Sequence, residues 1–116
     1  MFKPLSTALI LAVAALSFAP ALAGEQQIKV SAKNFAFVPA AITLKVHQRT
    51  KLVFVSSQGM HGISIPEIGL NTIVNIGSKP STVEVTPGRT GTFVARCAVY
   101  CGVGHGKMLL TVKVVK

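Results

Sequence analysis

From Gly24 onward the chain consists of short apolar runs separated by turn residues, and that rhythm restricts it to strands. In "QIKVSA", Ile28 and Val30 alternate with polar neighbours, and Ile42, Leu44 and Val46 do the same in "AITLKV". "KLVFVSS" is β-branched and aromatic without a polar interruption, which predicts a strand covered on both faces. "STVEVTP", "GTFVARC" and "MLLTVKVV" supply three further runs. Pro39, Gly59, Pro66, Gly69, Gly77, Pro80, Pro87-Gly88 and Gly91 lie between the runs, and these are the residues that tight turns need. No helical period is sustained after Gly24, and there is no internal repeat, linker or low-complexity tract. Many short strands at regular spacing predict an all-β, Greek-key β-sandwich.

The first 23 residues read differently. Lys3 is the only charge ahead of the apolar run "LSTALILAVAALSFAPALA", which ends in the small-x-small pattern Ala-Leu-Ala. This predicts a signal peptide over residues 1–23, cleaved before Gly24, and export to the periplasm or beyond. An uncleaved membrane anchor is the alternative, because the run is long enough to span a bilayer. Cleavage leaves residues 24–116 as one domain of 93 residues, 116 less 23. A domain of that size builds a modest core and gains from a bound metal.

Loss of Lys3 lowers the formal charge from +9 to +8, set against Glu25, Glu67 and Glu84, with no Asp anywhere. Such a surface attracts anionic partners. Export and the lack of interleaved basic and aromatic residues argue against nucleic acid. Three scattered Glu make no carboxylate pair and no triad, which argues against a hydrolase.

The chemistry concentrates in "CAVYCGVGHGKM", residues 97–108. Cys97, Cys101, His105 and Met108 are spaced four, four and three. On a helix they would form one stripe, but Gly102, Gly104 and Gly106 make a helix costly. The stretch is therefore expected to be a loop between a strand ending near Arg96 and a last strand starting near Met108. Thiolate, imidazole and thioether together select copper over hard cations. A copper site here needs one more histidine, and His61 in "SSQGMHGISIP", at a loop entering a strand, is the natural source. A sandwich gathers such loops at one end. A plain disulfide between Cys97 and Cys101 is the competing reading in an oxidising compartment. His47 has no partner at ligand spacing and is expected on the surface. Met60 falls outside the motif.

"MHGISIPEIG", "TPGRTGTF" and C-x₃-C-x₃-H-x₂-M resemble the CuA-type cupredoxin domain of cytochrome c oxidase subunit II and of nitrous oxide reductase. The resemblance runs from Phe35 to the C-terminus. It implies two copper ions bridged by the thiolates of Cys97 and Cys101. His61 and Met108 would complete one copper, and His105 with the backbone carbonyl of Val99 the other. It further implies a one-electron carrier, not itself an enzyme, whose partner is a redox protein such as a c-type cytochrome or a terminal oxidase.

Departures from the family pattern shape that expectation. Val99 stands where the oxidase subunit usually has an acidic residue, so no magnesium site is expected. Trp is absent, and Tyr100 is the aromatic residue left to take its docking role. No transmembrane hairpin and no acidic docking face are visible, so the expected partner has an acidic surface, and peripheral membrane association stays open. Two other functions fit the same residues. One is a mononuclear cupredoxin using Cys101, His105, His61 and Met108. The other is a periplasmic copper-delivery protein for oxidase assembly.

Overall fold

The computed structural model describes residues 26–116. The expected leader over residues 1–23 lies outside the described residues. Nine strands follow in order: β1 (Gln26–Lys33), β2 (Ala36–Val38), β3 (Ala41–Lys45), β4 (Thr50–Ser56), β5 (His61–Ile65), β6 (Leu70–Ile76), β7 (Ser81–Val85), β8 (Gly91–Arg96) and β9 (Leu109–Val115). Single 3₁₀ turns stand at Pro66–Ile68 and His105–Lys107, and the described residues contain no α-helix. The all-β expectation holds.

One sheet has the order β2-β1-β4-β7 and the other β3-β9-β8, with β5 and β6 forming a separate two-stranded ribbon. β1 runs parallel to β4, and β3 runs parallel to β9; the remaining pairs are antiparallel. Because β1 and β3 belong to different sheets, the chain crosses the sandwich repeatedly, as Greek-key connections require.

Period-two patterning places the core. In β3, Ile42 and Leu44 point inward while Ala41, Thr43 and Lys45 are exposed. In β9, Leu110, Val112 and Val114 are buried and alternate with outward residues. Val30, Phe37, Leu52, Phe54 and Ile63 complete the layer between the sheets. β4 departs from expectation. Leu52 and Phe54 are fully buried, but Lys51, Val53 and Val55 on the other face are only half-buried. Its β-branched outer face is therefore that of a central strand shielded by its neighbours β1 and β7, not of a strand covered by a second layer.

The registers also set the two ends of the sandwich. Ala32 pairs with Ser56, Phe54 with Ser81, His61 with Ile76, and Arg96 with Leu109. These four pairs lie at one end, where residues 33–35, 57–60, 77–80 and 97–108 connect the strands.

Candidate metal centre

The loop of residues 97–108 is closed by its own backbone. Cys97 N–H donates to the Met108 carbonyl at 3.1 Å, so the first and last residues of the motif face each other. His105 N–H donates to Gly102 O (3.1 Å), Lys107 N–H to Gly104 O (3.0 Å) and Met108 N–H to His105 O (3.3 Å), which makes the short 3₁₀ turn. Gly102 has φ 127°, in the region that favours glycine. The expected loop is present, and the last strand begins at Leu109, one residue after Met108.

Two contacts fix this loop against the sandwich. Ala98 N–H donates to Gly62 O at 2.7 Å, tying the loop to β5. The side chain of Val99 lies over Gly62, with Cγ2 2.5 Å from where a Cβ would stand. On the other side the Phe35 ring lies beneath the loop, and a side chain at Gly102 or Gly104 would run into it. Phe35 and Gly62 pack against the loop, a contact that sequence reasoning missed.

The donor atoms converge. His61, first residue of β5, is 1% exposed although its polar ring would prefer water. Nε2 lies 2.6 Å from the Gln58 carbonyl, which can only accept, so Nε2 carries a hydrogen, and in the neutral ring Nδ1 is the nitrogen with the lone pair. That Nδ1 lies 3.9 Å from Cys97 Sγ. The segment 58–59 is held in turn by the buried Ser56, whose Oγ donates toward Gln58 O (2.9 Å) and Gly59 O (2.6 Å). Such outer contacts commonly orient a ligating histidine.

Cys97 is buried, and its thiol donates to Val99 O at 3.0 Å. Cys101 Sγ lies 3.7 Å from His105 Nδ1 and 3.8 Å from Met108 Sδ. Met108 is fully buried. The ligand atoms of His61, Cys97 and Cys101 all lie within 4.8 Å of one another. The two cysteines are not bonded to each other. Among the other candidates, His47 is exposed, as expected, and Met60 is 60% exposed beside the centre.

Burial pushes the Cys101 thiol up to about 11, and hydrogen bonding and charge from Cys97 push in the same direction. Without a cation, therefore, the two sulfurs resist ionising together. A soft cation held between them would reverse that balance, because thiolates are the ligating form. No carboxylate of the described residues joins the cluster, so hard cations are poorly served. Two thiols, two imidazoles and a thioether form a set suited to copper.

An all-β sandwich with a His/Cys/Cys group gathered at one end defines a cupredoxin-class domain, a fold that indicates copper binding. The chain belongs to the cupredoxin-like domain family, which matches residues 6–110. It is similar to cytochrome c oxidase subunit 2 of Thermus thermophilus, 33% identical over 93 residues that cover 78% of this chain and 68% of that protein. It also matches a probable cytochrome c oxidase subunit 2 of Streptomyces coelicolor, 59% identical over 32 residues, 28% of this chain. That match spans 10% of the Streptomyces coelicolor protein's own length. The periplasmic domain of subunit II of cytochrome oxidase (CoxB) of Bradyrhizobium japonicum has the same fold, with a TM-score of 0.69 at 14% identity over 78% of this chain and 84% of that one.

Proposed function

We propose that the protein is an exported one-electron carrier with a CuA-like binuclear copper centre. In this reading Cys97 and Cys101 would hold both coppers, with His61 and Met108 completing the set for one and His105 and the Val99 carbonyl the set for the other. The observation that carries it is the distribution of donors around the two sulfurs. His61 Nδ1 and Val99 O lie beside Cys97, while Met108 Sδ and His105 Nδ1 lie beside Cys101. Each proposed ligand pair therefore takes one member from the neighbourhood of each sulfur. Two ligands each about 2.0–2.3 Å from one ion at a near-tetrahedral angle are separated by roughly 3.5 Å, and the separations around the sulfurs run from 3.0 to 3.9 Å.

When bound, the copper pair supplies one-electron redox chemistry. The protein holds the donors in place, with His61, Cys97 and Met108 buried and Cys101 and His105 half-buried. Ser56 and Gln58 hold the buried His61 ring with Nδ1 toward Cys97. Phe35 and Gly62 support the two halves of the loop. A mononuclear site would leave Cys97 idle, although Cys97 is the sulfur beside His61.

The relatives named as subunits of cytochrome c oxidase support a place beside a respiratory redox partner, as an electron-transfer module and not as the catalytic unit. In this reading residues 1–23 are an export signal and residues 24–116 the mature domain. No helix among the described residues is long and apolar enough to cross a membrane.

Native mass spectrometry of the copper-loaded protein tests the reading. Two coppers per chain are expected, falling to one or none in Cys97→Ser. One copper in the wild type, with a visible spectrum unchanged by Cys97→Ser, would overturn it.

A further inference from the structure

The two sides of the sandwich differ in how their sheet edges are covered. On one side stand β7 and β8, where β6 packs on β7 and β5 on β8. On the other side stand β2 and β3, and no other described strand pairs with either on its outer side. β2 is three residues long and is followed by Pro39, which has no N–H to donate. β3, Ala41–Lys45, is the longer open edge. Thr111 N–H donates to Ala40 O at 2.9 Å and Val46 N–H to Val115 O at 2.8 Å, so the even-numbered residues turn their backbone groups toward β9. By strand alternation Ala41, Thr43 and Lys45 turn theirs away from β9, each with one N–H and one C=O.

Outward edge groups of this kind recruit another strand unless charge or proline guards them. Here the guards stand at the ends, Pro39 before the strand and Lys45 at its last position, and Ala41 to Leu44 carry no charge. Val38, 49% exposed, and the exposed Pro39 and Ala40 add apolar surface beside the edge. The strand also matches its own reverse. Two copies set antiparallel and centred on Thr43 place Thr43 against Thr43, Ala41 against Lys45 and Ile42 against Leu44. The one charge of each strand then meets a methyl group. The buried Ile42 and Leu44 continue the apolar layer across the join, and paired threonines are favourable cross-strand neighbours. A slip that set Lys45 against its own copy would oppose like charges.

We propose that the β3 edge pairs with the β3 edge of a second copy of this chain, joining the two β3-β9-β8 sheets into one continuous sheet about a two-fold axis. The candidate metal centre lies toward the Ala41 end of β3, because Ala41 pairs with Thr111, just after the loop of residues 97–108. Antiparallel pairing therefore sends the two centres to opposite ends of the dimer and leaves both uncovered. The pairing uses none of the candidate ligands, so it stands apart from the copper reading and holds in the metal-free protein. Both copies are strongly basic, with a formal charge of +9 over the full sequence, so they repel at low salt. Added salt screens that repulsion and tightens the dimer, the reverse of its effect on docking to an acidic partner.

Sedimentation equilibrium of the metal-free protein tests the pairing, up to about 1 mM chain and at about 0.02 M and about 0.5 M salt. A monomer–dimer equilibrium is expected, tighter by about threefold or more at the higher salt. Thr43→Lys sets two ammonium groups against each other at the axis and should weaken the dimer about fivefold or more. Thr82→Lys makes the same charge change at an exposed position of β7 and should alter it by less than about twofold. Hydrogen exchange of the unmutated protein reads the register without any variant. The amides of residues 41, 43 and 45 should exchange more slowly as protein concentration rises, while those of residues 42 and 44, already turned to β9, should not change. A chain that stays monomeric at about 1 mM in the higher salt, a dimer loosened by salt, equal weakening by the two substitutions, or concentration-dependent protection confined to amides outside residues 41–45 would overturn the inference.

Discussion

His61 can offer a metal only one of its two nitrogens, because Gln58 O holds the other at 2.6 Å. The same economy governs the sulfurs. The Cys101 thiol is pushed up to about 11 by burial first and by its hydrogen bond and charge coupling to Cys97 second. Thiolate absorbance of the metal-free protein should therefore show one thiol ionising near that value. Cys97→Ala should bring it down, but not to the range of a free thiol, since the larger cause remains. No change on removing Cys97 would contradict the coupling. The sign for stability follows directly. The folded-state value lies above the unfolded one, about 8.5 for a free thiol. The stability gained from keeping Cys101 protonated is thus complete below the unfolded value and is lost as pH rises through about 11. Urea midpoints of the metal-free protein should fall across that window, and a flat profile would refute the effect. The Phe35 ring is the other residue-scale support. Phe35→Ala should cost about 1–2 kcal/mol, less than a fully buried Phe because the ring is only half-buried. It should also broaden the visible copper bands, whereas an unaltered spectrum would mean that the ring supports the fold but not the centre.

At the scale of elements, β5 and the loop of residues 97–108 act as one unit through the Ala98–Gly62 hydrogen bond and the Val99 side chain over Gly62. Gly62→Ala inserts a methyl into that contact and should cost about 1–3 kcal/mol as overpacking, read from the shift in denaturation midpoint. It should also weaken copper retention against a chelator, because Val99 and Cys97 must move with the loop. Unchanged retention would mean that the contact does not position the donors. These contacts explain what could and could not be read from the sequence. The strands with clean alternation, such as β3 and β9, were legible because one face is core. β6 was not, because Asn71, Thr72 and Ile73 are exposed in succession and leave no period to detect. β2 is three residues long, too short to carry a pattern. The parallel pairings of β1 with β4 and β3 with β9 join distant segments, which local pattern cannot disclose. In the candidate centre, the donor residues were legible because soft ligands at close spacing are rare by chance. Phe35 and Gly62 were not, since an aromatic and a glycine announce support only when the loop above them is seen.

At the scale of the whole molecule, charge is lopsided: 12 Lys and Arg against 3 acidic residues over the full sequence. Acid usually unfolds proteins by protonating carboxylates that stabilise the fold when ionised. Here Glu67 and Glu84 are exposed, and the Arg49–Glu84 pair is a surface contact of the kind that contributes little. Protons compete directly with copper for imidazole and thiolate, so the ligation energy is present at neutral pH and lost as pH falls. The visible copper bands should therefore vanish on acidification while the far-ultraviolet β-sheet signal persists. Loss of the sheet signal at or before loss of colour would contradict this. The same weighting by charge predicts that electron transfer to an acidic partner slows as salt is added. The central claim of the account is the proposed pair of coppers at Cys97 and Cys101. The most direct test is electron paramagnetic resonance of the one-electron-oxidised copper protein. The account predicts a hyperfine pattern from one unpaired electron spread equally over two copper nuclei, and its collapse to single-nucleus coupling or silence in Cys97→Ser. Coupling to a single copper nucleus in the wild type would contradict the binuclear centre.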